Sequence, residues 1–296
     1  MPSQVQLALA SWTPPVPLTL ALILAASLYL RGWIHLRSVL IHAIPAWRAA
    51  SFVLGLFLIW IALGSPLAAL DEELLTIHMV EHLLLMTFAP PLLLLGAPVM
   101  PFLHGVPRQW VQSVLGPLFR WPPLHWLGRV ITEPVFCWLA AAAALLGWHI
   151  PAVFALGLQS ESWHMVEHAC FLAAGFLFWW PVVQPWPSVS VWPRWSILLY
   201  LFLATLPCDI LSGFLVFSDR IAYPNYSSRL RRFSMSVLED QQVAGALMWT
   251  CVTFVYLVPA VFLTMRLLAA RRSGENHLPQ SELGGGSLSQ FFRSHS

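Results

Sequence analysis

The stretch His78-Met-Val-Glu-His82 recurs letter for letter as His164-Met-Val-Glu-His168, and each copy lies in a long apolar run. Titratable side chains are costly inside a membrane-spanning helix and usually mark a functional site. Because an α-helix turns once in about 3.6 residues, the two histidines of each copy lie one turn apart on one face. Two such copies offer four imidazoles, enough to surround a transition metal. The alternative is that the histidines are buried and hydrogen-bonded in a helix bundle without a ligand.

The composition around these motifs is that of a membrane protein. Of the 296 residues, 58% are hydrophobic and 9% are charged, whereas soluble domains carry about 25% charged residues. The 16 tryptophans fit aromatic belts at the membrane interfaces, and the net charge of +2 gives no indication of nucleic acid binding. No C-x-x-C pair occurs, so neither a disulfide framework nor a thiol-exchange motif is indicated.

Apolar segments predict an all-α, polytopic bundle of about seven transmembrane helices. We expect these helices at residues 17–30, 47–63, 74–96, 134–148, 163–183, 195–217 and 241–268. The acidic cluster Asp71-Glu72-Glu73 is expected to open the third helix, and Pro90-Pro91 to kink or break it. Residues 97–133 are expected to lie along a membrane surface. Residues 1–272 then form the transmembrane domain, and the Gly- and Ser-rich residues 273–296 a disordered cytoplasmic tail.

The distribution of arginine predicts the orientation of the bundle. All 15 basic residues are arginine, and loops that face the cytoplasm carry an excess of basic residues. With the N-terminus outside and the C-terminus cytoplasmic, eleven arginines lie on the inner side and four on the outer side. We therefore expect this orientation.

In this topology the titratable groups of the helices converge on the outer half of the bundle. The third and fifth helices both begin at the outer face, so the four motif histidines lie at similar depth. Four neutral imidazoles suit copper, zinc, iron or nickel, and a thioether would favour Cu(I). The predicted metal ligands are His78, His82, His164 and His168, with Glu81, Glu167, His149, Asp209, Asp240 and Met248 as supporting residues.

The other residues of the motif leave several roles open. Glu81 and Glu167 are candidates for ligands, for partners that fix histidine tautomers, or for proton acceptors. Met79 and Met165 follow a motif histidine directly and point about 100° away from it, so we expect both to serve in packing. The pattern H-x-x-E-H is also the signature of one class of zinc protease, but such an enzyme needs one open site and leaves the repeat unexplained.

Further motifs resemble those of the membrane-spanning cytochrome c oxidase assembly factors of the CtaG type. They are His82-Leu-Leu-Leu-Met-Thr-Phe-Ala-Pro-Pro91, Leu95-Gly-Ala-Pro98, Trp148-His-Ile-Pro151 and Asp240-Gln-Gln-Val-Ala-Gly-Ala-Leu-Met-Trp249. The resemblance covers roughly residues 15–268. It implies a seven-helix protein of the bacterial inner membrane that is needed to assemble a haem-copper oxidase through delivery of copper to its subunits.

Together, the residues and the resemblance predict an assembly factor and not an enzyme. We expect it to bind copper, as Cu(I), near its outer face and to pass it to cytochrome c oxidase subunits. An outer-face copper donor protein and membrane lipids are the other expected partners. A haem-binding membrane cytochrome is the alternative, although two imidazoles at i and i+4 lie on one side of a metal, where a flat macrocycle cannot use both.

The loop at residues 218–239 is the one strongly basic segment on the expected outer side. It carries Arg220, Arg229, Arg231 and Arg232. Such a charge would steer an acidic copper donor or oxidase subunit toward the metal site. Contacts with anionic lipid head groups are the alternative, so docking of a partner here is a hypothesis.

Overall fold

The computed structural model describes residues 12–39, 45–71, 73–117, 121–185, 192–228 and 235–275. Within these residues the chain consists of helices and short connections, without β-strands. The main helices are α1 Val16–Val39, α2 Ala46–Gly64, α3 Leu75–Leu95, α4 Val99–Gly105, α5 Pro122–Ile131, α6 Pro134–Trp148, α7 Pro151–Gln159, α8 Glu161–Val183, α9 Arg194–Phe217 and α10 Val237–Glu275. Shorter helical stretches are Pro66–Ala69, Arg108–Trp110, Val111–Leu115 and Pro224–Ser228.

Six helices of the described chain are long and apolar enough to cross a membrane, namely α1, α2, α3, α8, α9 and α10. The pair α5 and α6 passes the same test together, with a bend of 66° between them, and would make a seventh span. The chain is therefore a multi-pass membrane protein built from helices, which confirms the predicted fold class. The predicted orientation of its termini stays a prediction.

The ends of the helices differ from the expected ones where polar residues continue a helix. Helix α1 runs to Val39, beyond the expected end at residue 30, with Arg37 in its last turn, where a cation complements the helix dipole. Helix α10 runs to Glu275, three residues into the segment predicted to be disordered. The rest of that segment, residues 276–296, lies outside the described residues.

The two prolines of α3 do not end the helix. Pro90 has no N–H, so the Met86 carbonyl loses the donor that an α-helix would supply four residues later. Just before the prolines the helix widens into a π-helical stretch, Leu83–Phe88, in which the Ala89 N–H donates to the Leu84 carbonyl five residues back. The helix thus continues through the prolines. The π-helical stretch Leu83–Phe88, which we call the wide turn, begins directly after His82.

Helix α8 crosses α3 at this wide turn. A Cβ atom added to Gly175 would lie 2.6 Å from the Met86 carbonyl oxygen and 2.7 Å from the Pro90 ring. Only glycine permits so close an approach of the two backbones. Gly175 follows His168 by two turns and Met86 follows His82 by about one turn. The crossing therefore holds the two HMVEH copies side by side.

The connection at residues 97–133 folds partly onto the bundle. Helix α4 packs against α1 so closely that a Cβ atom on Gly32 would overlap the Pro101 carbonyl. Helix α5, in contrast, carries the exposed side chains of Trp126 and Leu127. Exposed tryptophan fits a membrane interface, but a position along the membrane surface stays a prediction.

Helix α7 covers the end of the bundle where the motifs lie. Helix α6 ends at Trp148, and Pro151 starts α7, since proline is well tolerated at the first helical position. Phe154 on α7 is buried, and its ring centroid lies 5.0 Å from that of His78. The short α7 thus covers His78 at this end of the bundle.

Candidate metal centre

The two HMVEH copies face each other across the contact of α3 with α8. The ring centroids of His78 and His164 lie 5.5 Å apart, and those of His82 and His168 lie 5.7 Å apart. Within each copy the two rings are separated by 4.2 Å. The structure thus gathers the four predicted histidines into one group. We call this group, together with the carboxylates beside it, the histidine cluster.

The glutamates of the two copies cross over. Glu167 Oε1 on α8 lies 3.6 Å from His78 Nε2 and 3.5 Å from His82 Nε2, both on α3. Glu81 Oε2 on α3 lies 3.5 Å from His168 Nε2 on α8. Each copy therefore presents its carboxylate to the imidazoles of the other copy. Of the roles left open above, that of a metal ligand beside the imidazoles fits this geometry best.

Asp71 is a member of the cluster that sequence reasoning missed. Its carboxylate is buried, with Oδ2 3.3 Å from His164 Nε2. We expected the acidic residues at this point to lie in the first turn of the third helix, but that turn holds none. Asp71 lies instead in the turn before α3, and the only sequence signal was an acidic residue just ahead of the first motif.

Most donor atoms of the cluster group around two neighbouring points, and His168 belongs to neither group in the described chain. In each group, one ligand atom per residue lies within 4.8 Å of all the others. Ligand atoms about 2.1 Å from one tetrahedral ion are separated by about 3.4 Å, so modest closure would suffice. The first group is Asp71, His78, Glu81 and His164, and the second is His78, His82 and Glu167. His78 belongs to both, so the cluster is suited to two adjacent ions or to one that moves between them.

Most polar atoms of the motif histidines and glutamates are buried without a hydrogen bond among the described residues. Among the described residues no hydrogen-bond partner reaches either ring nitrogen of His78 or His82, either carboxylate oxygen of Glu81 or Glu167, or Nε2 of His168. Each buried polar atom left unpaired costs about 1–3 kcal/mol. A helix bundle that needed these residues for packing alone would have paired them. A cation bound among them would satisfy these atoms, so the donor set fits a metal ion.

His149 borders the cluster but faces a different neighbour. Its Nδ1 lies 2.7 Å from the Leu145 carbonyl and its Nε2 lies 3.3 Å from Met79 Sδ. The ring centroid of His149 is 6.2 Å from that of His82. Met79, which we expected to serve in packing only, therefore contacts an imidazole.

Asp240 has a structural role that the sequence did not indicate. Its Oδ2 accepts a hydrogen bond of 2.7 Å from the Leu75 N–H, and its Oδ1 accepts from the N–H and the hydroxyl of Thr76, at 3.1 and 2.6 Å. These are the first residues of α3, whose own N-cap residue offers no side-chain bond. Asp240 thus caps α3 from α10 and fixes the start of the helix that carries His78, with its oxygens turned to α3 and not to the histidines.

The remaining supporting residues lie to one side of the cluster. Asp209 is half-buried on α9 and belongs to neither group of donor atoms in the described chain. Met248 is 3% exposed and lines a cavity of about 40 Å³ beside His82 and His149. The structure therefore brings Met248 near two of the predicted histidines and leaves Asp209 apart.

Two tyrosines of the loop at residues 218–239 close the cluster. Tyr226 donates a hydrogen bond of 3.1 Å to the Asp71 carbonyl, and Tyr223 donates one of 2.9 Å to the His149 carbonyl. Burial raises the pKa of the Tyr223 phenol well above its usual range, so the donor proton is retained at neutral pH. Arg220 in this loop is exposed, whereas Arg229, Arg231 and Arg232 lie outside the described residues.

Gly157 on α7 sets the position of a cluster carboxylate. A Cβ atom added there would lie 2.5 Å from Glu167 Oε2. Any other residue would push this carboxylate away from its place between His78 and His82. This role could not be predicted from the sequence, because nothing in the local pattern distinguishes this glycine of a short apolar helix.

Comparison with known proteins agrees with the motif resemblance. The family model described as cytochrome c oxidase caa3 assembly factor matches residues 27–270. Uncharacterised proteins of Mycobacterium bovis and Mycobacterium tuberculosis are each 24% identical over 223 residues, which is 70% of this chain. The match covers 32% of each relative, so the chain spans about a third of the length of these curated proteins. No solved structure gives a significant match.

Proposed function

The chain belongs to the family of cytochrome c oxidase caa3 assembly factors, and we propose that it serves oxidase assembly by binding copper in the histidine cluster and passing it to oxidase subunits. Copper is the proposed cargo because the resemblance implies a haem-copper oxidase as the product of assembly. The family supports association with cytochrome c oxidase. The copper step and the receiving subunits are our proposal.

One observation carries this proposal, namely that each HMVEH copy turns its carboxylate toward the imidazoles of the other copy. Imidazole and carboxylate together suit a transition metal such as copper or zinc. The carboxylates also offset the charge of a bound cation, which a membrane interior would otherwise disfavour. Binding and release then need only exchange of ligands, without a change of covalent structure in the protein.

The exposure of the histidines suggests a route for release. The side chains of His164 and His168 on α8 are 18% and 12% exposed, whereas those of His78 and His82 on α3 are 1% and 6% exposed. A receiving protein would reach the α8 histidines first. We propose that the ion leaves the cluster on this side, with the α3 histidines as the inner ligands.

The alternatives raised by the sequence find less support. A haem between α3 and α8 would need the histidine rings to be parted by a macrocycle, but carboxylates lie within 3.6 Å of the imidazoles there. A zinc protease would need a glutamate free to activate water at one open site, whereas both glutamates face histidines of the other copy. We therefore propose an assembly factor without catalytic activity.

The membrane helices support a proposal for the place of action. We propose that the protein lies in the bacterial inner membrane with the histidine cluster toward the outer face. An outer-face copper donor protein would deliver the ion, and membrane lipids surround the bundle. The basic loop at residues 218–239 stays a hypothesis as a docking surface, and the composition gives no reason to expect a nucleic acid partner.

The test measures copper and haem in the oxidase made by cells that carry His168→Ala. We expect oxidase with its haem retained, copper reduced at least ten-fold and activity lost, while the variant protein remains in the membrane. His104→Ala is the matched control, since His104 is exposed and lies away from the cluster. Oxidase with normal copper content in the His168→Ala cells would contradict copper delivery, and loss of haem instead of copper would favour a role in haem insertion.

A further inference from the structure

A small cavity adjoins the histidine cluster and is lined by soft donor atoms. Its volume is about 40 Å³, enough for an ion or a few water molecules. It lies among α3, α6, α8, α9 and α10, and most of its remaining wall is apolar. The side chains with sulfur or imidazole donor atoms are Met79, Met86, Met248, Cys208, His82 and His149, and Thr87 and Tyr256 add hydroxyl groups. Asp71, Glu81 and Glu167, the carboxylates of the cluster, do not line it.

The contact of His149 with Met79 places two electron-pair donors face to face. A carbonyl can only accept, so Nδ1 of His149 carries the proton of the 2.7 Å bond to Leu145. In the neutral imidazole, Nε2 then has a free lone pair, and it lies 3.3 Å from the thioether sulfur of Met79, which has no proton either. Two ligand atoms at about 2.0 and 2.3 Å from one ion, at a tetrahedral angle, are separated by about 3.5 Å. The observed distance is close to that of two ligands of one cation.

The broken symmetry of the repeat supports a role for Met79. Met79 and Met165 occupy the same position in the two HMVEH copies. Met79 is 1% exposed and contacts His149, whereas Met165 is 62% exposed. The same position of the repeat thus faces the interior of the bundle on α3 and its surface on α8. Of these two equivalent methionines, Met79 is the one that lines the cavity.

We propose that this cavity is a second metal site, one for a soft monovalent cation, with His149 Nε2 and Met79 Sδ as its first ligands. Met86 and Met248 supply further thioethers in the wall, and thioether and imidazole together select Cu(I) over harder cations. The identification of the cation as Cu(I) rests on the proposed function. The preference of the cavity for a soft cation rests only on its sulfur and imidazole donors. The carboxylate-containing cluster suits a divalent ion, so the Cu(I) predicted from the sequence fits the cavity better than the cluster.

His82 connects the two sites. It is buried, lines the cavity, and also lies 3.5 Å from Glu167 in the cluster. Neither of its ring nitrogens has a hydrogen-bond partner among the described residues. An imidazole in this position serves as a ligand common to both sites, so an ion can move from one to the other by exchange of ligands.

The test is titration of the purified full chain in detergent micelles with Ag(I), a redox-inert probe for soft-donor sites. We expect Met79→Leu and Met248→Leu each to weaken Ag(I) binding at least ten-fold. The matched control is Met165→Leu, which should bind Ag(I) like the wild type. X-ray absorption at the silver edge of the wild type should give both sulfur and nitrogen neighbours. Unchanged Ag(I) affinity in both variants, or silver without sulfur neighbours, would overturn the second site, and the spectrum decides even if a variant fails to fold.

A parallel titration with Zn(II) separates this inference from the proposed function. Zn(II) reports on the cluster, so His164→Ala should weaken Zn(II) binding and leave Ag(I) binding intact. Met79→Leu should do the reverse. Absence of Zn(II) binding to the wild type would count against the cluster while the Ag(I) result still supports the cavity. Ag(I) binding that follows His164 and not Met79 would overturn the cavity site while the cluster stands.

Discussion

Replacing Gly157 by alanine tests the cluster without removing any ligand. The added Cβ would lie 2.5 Å from Glu167 Oε2, whereas ordinary contacts of this kind begin at 3.4 Å, so Oε2 must move by at least 0.9 Å, the difference of the two distances. Glu167 Oε1 now lies 3.5 and 3.6 Å from two imidazole nitrogens. A shift of Oε2 by this amount turns or displaces the carboxylate and so disturbs the position of Oε1 beside an ion held by those imidazoles.

We expect Gly157→Ala to weaken Zn(II) and copper binding by the purified chain by about 10–100-fold, the usual cost of misplacing a ligand or its support. That corresponds to about 1.4–2.8 kcal/mol of binding free energy. The fold should not suffer, because alanine is favoured over glycine inside a helix by about 1 kcal/mol. The assay is metal titration in detergent together with thermal unfolding.

Gly147→Ala is the control for this prediction, since an added Cβ there would meet nothing within 4 Å and the residue is also helical. It should bind metal like the wild type. If Gly157→Ala kept wild-type affinity, the carboxylate of Glu167 would not be a ligand or a support of one, and the geometric reasoning would be refuted.

Three further changes probe the surroundings of the cluster. Asp71→Asn should weaken metal binding about ten-fold, because a neutral amide replaces the carboxylate beside His164; equal affinity in a titration would argue against Asp71 as a ligand. Gly175→Ala should lower the Tm, since overpacking against a backbone carbonyl costs about 1–3 kcal/mol, and a Tm at or above that of the wild type would contradict the close crossing of α3 and α8. Asp240→Ala should destabilise the protein by about 0.5–2 kcal/mol through loss of a helix cap; a variant with unchanged Tm would show that the cap is dispensable.

The helices of this protein could be predicted from the sequence because each contains an apolar run that is bounded by proline, glycine or charged residues. The ends of α2, α3 and α9 lie within one residue of the expected ones. The errors occur where a helix continues past its apolar part, as α1 does through Arg37. The length of an apolar run indicates which residues contact the membrane interior. The helix itself can extend beyond that run, because its backbone hydrogen bonds do not require apolar side chains.

The histidine cluster could be predicted in part. The spacing within each HMVEH copy put two imidazoles on one face, and the repeat indicated that the faces would meet. The crossed pairing of the glutamates could not be foreseen, because it depends on the register of α8 against α3, set by Gly175 at the wide turn near Met86. Sequence spacing determines which side chains share a helix face but not how two helices are aligned.

The contacts of Asp71 and Asp240 could not be predicted from the sequence for a physical reason. Both are acidic residues near the end of an apolar run, where a carboxylate can be a cap or a ligand. Asp240 caps a helix that begins 165 residues earlier in the chain, so no local pattern could indicate it. Asp71 lies in a turn, where the 3.6-residue period that related the histidines to each other does not apply.

The most direct test of the account is the copper content of the purified full chain after incubation with copper and removal of the excess. The measurement compares, by mass spectrometry, the wild type with the double variant His82→Ala, His168→Ala, which removes one imidazole from each HMVEH copy. We predict that the wild type retains copper and that the double variant, still folded and in the membrane fraction, retains at most a tenth as much. A double variant that holds the same amount of copper per chain as the wild type would contradict the claim that the paired motifs form the metal site.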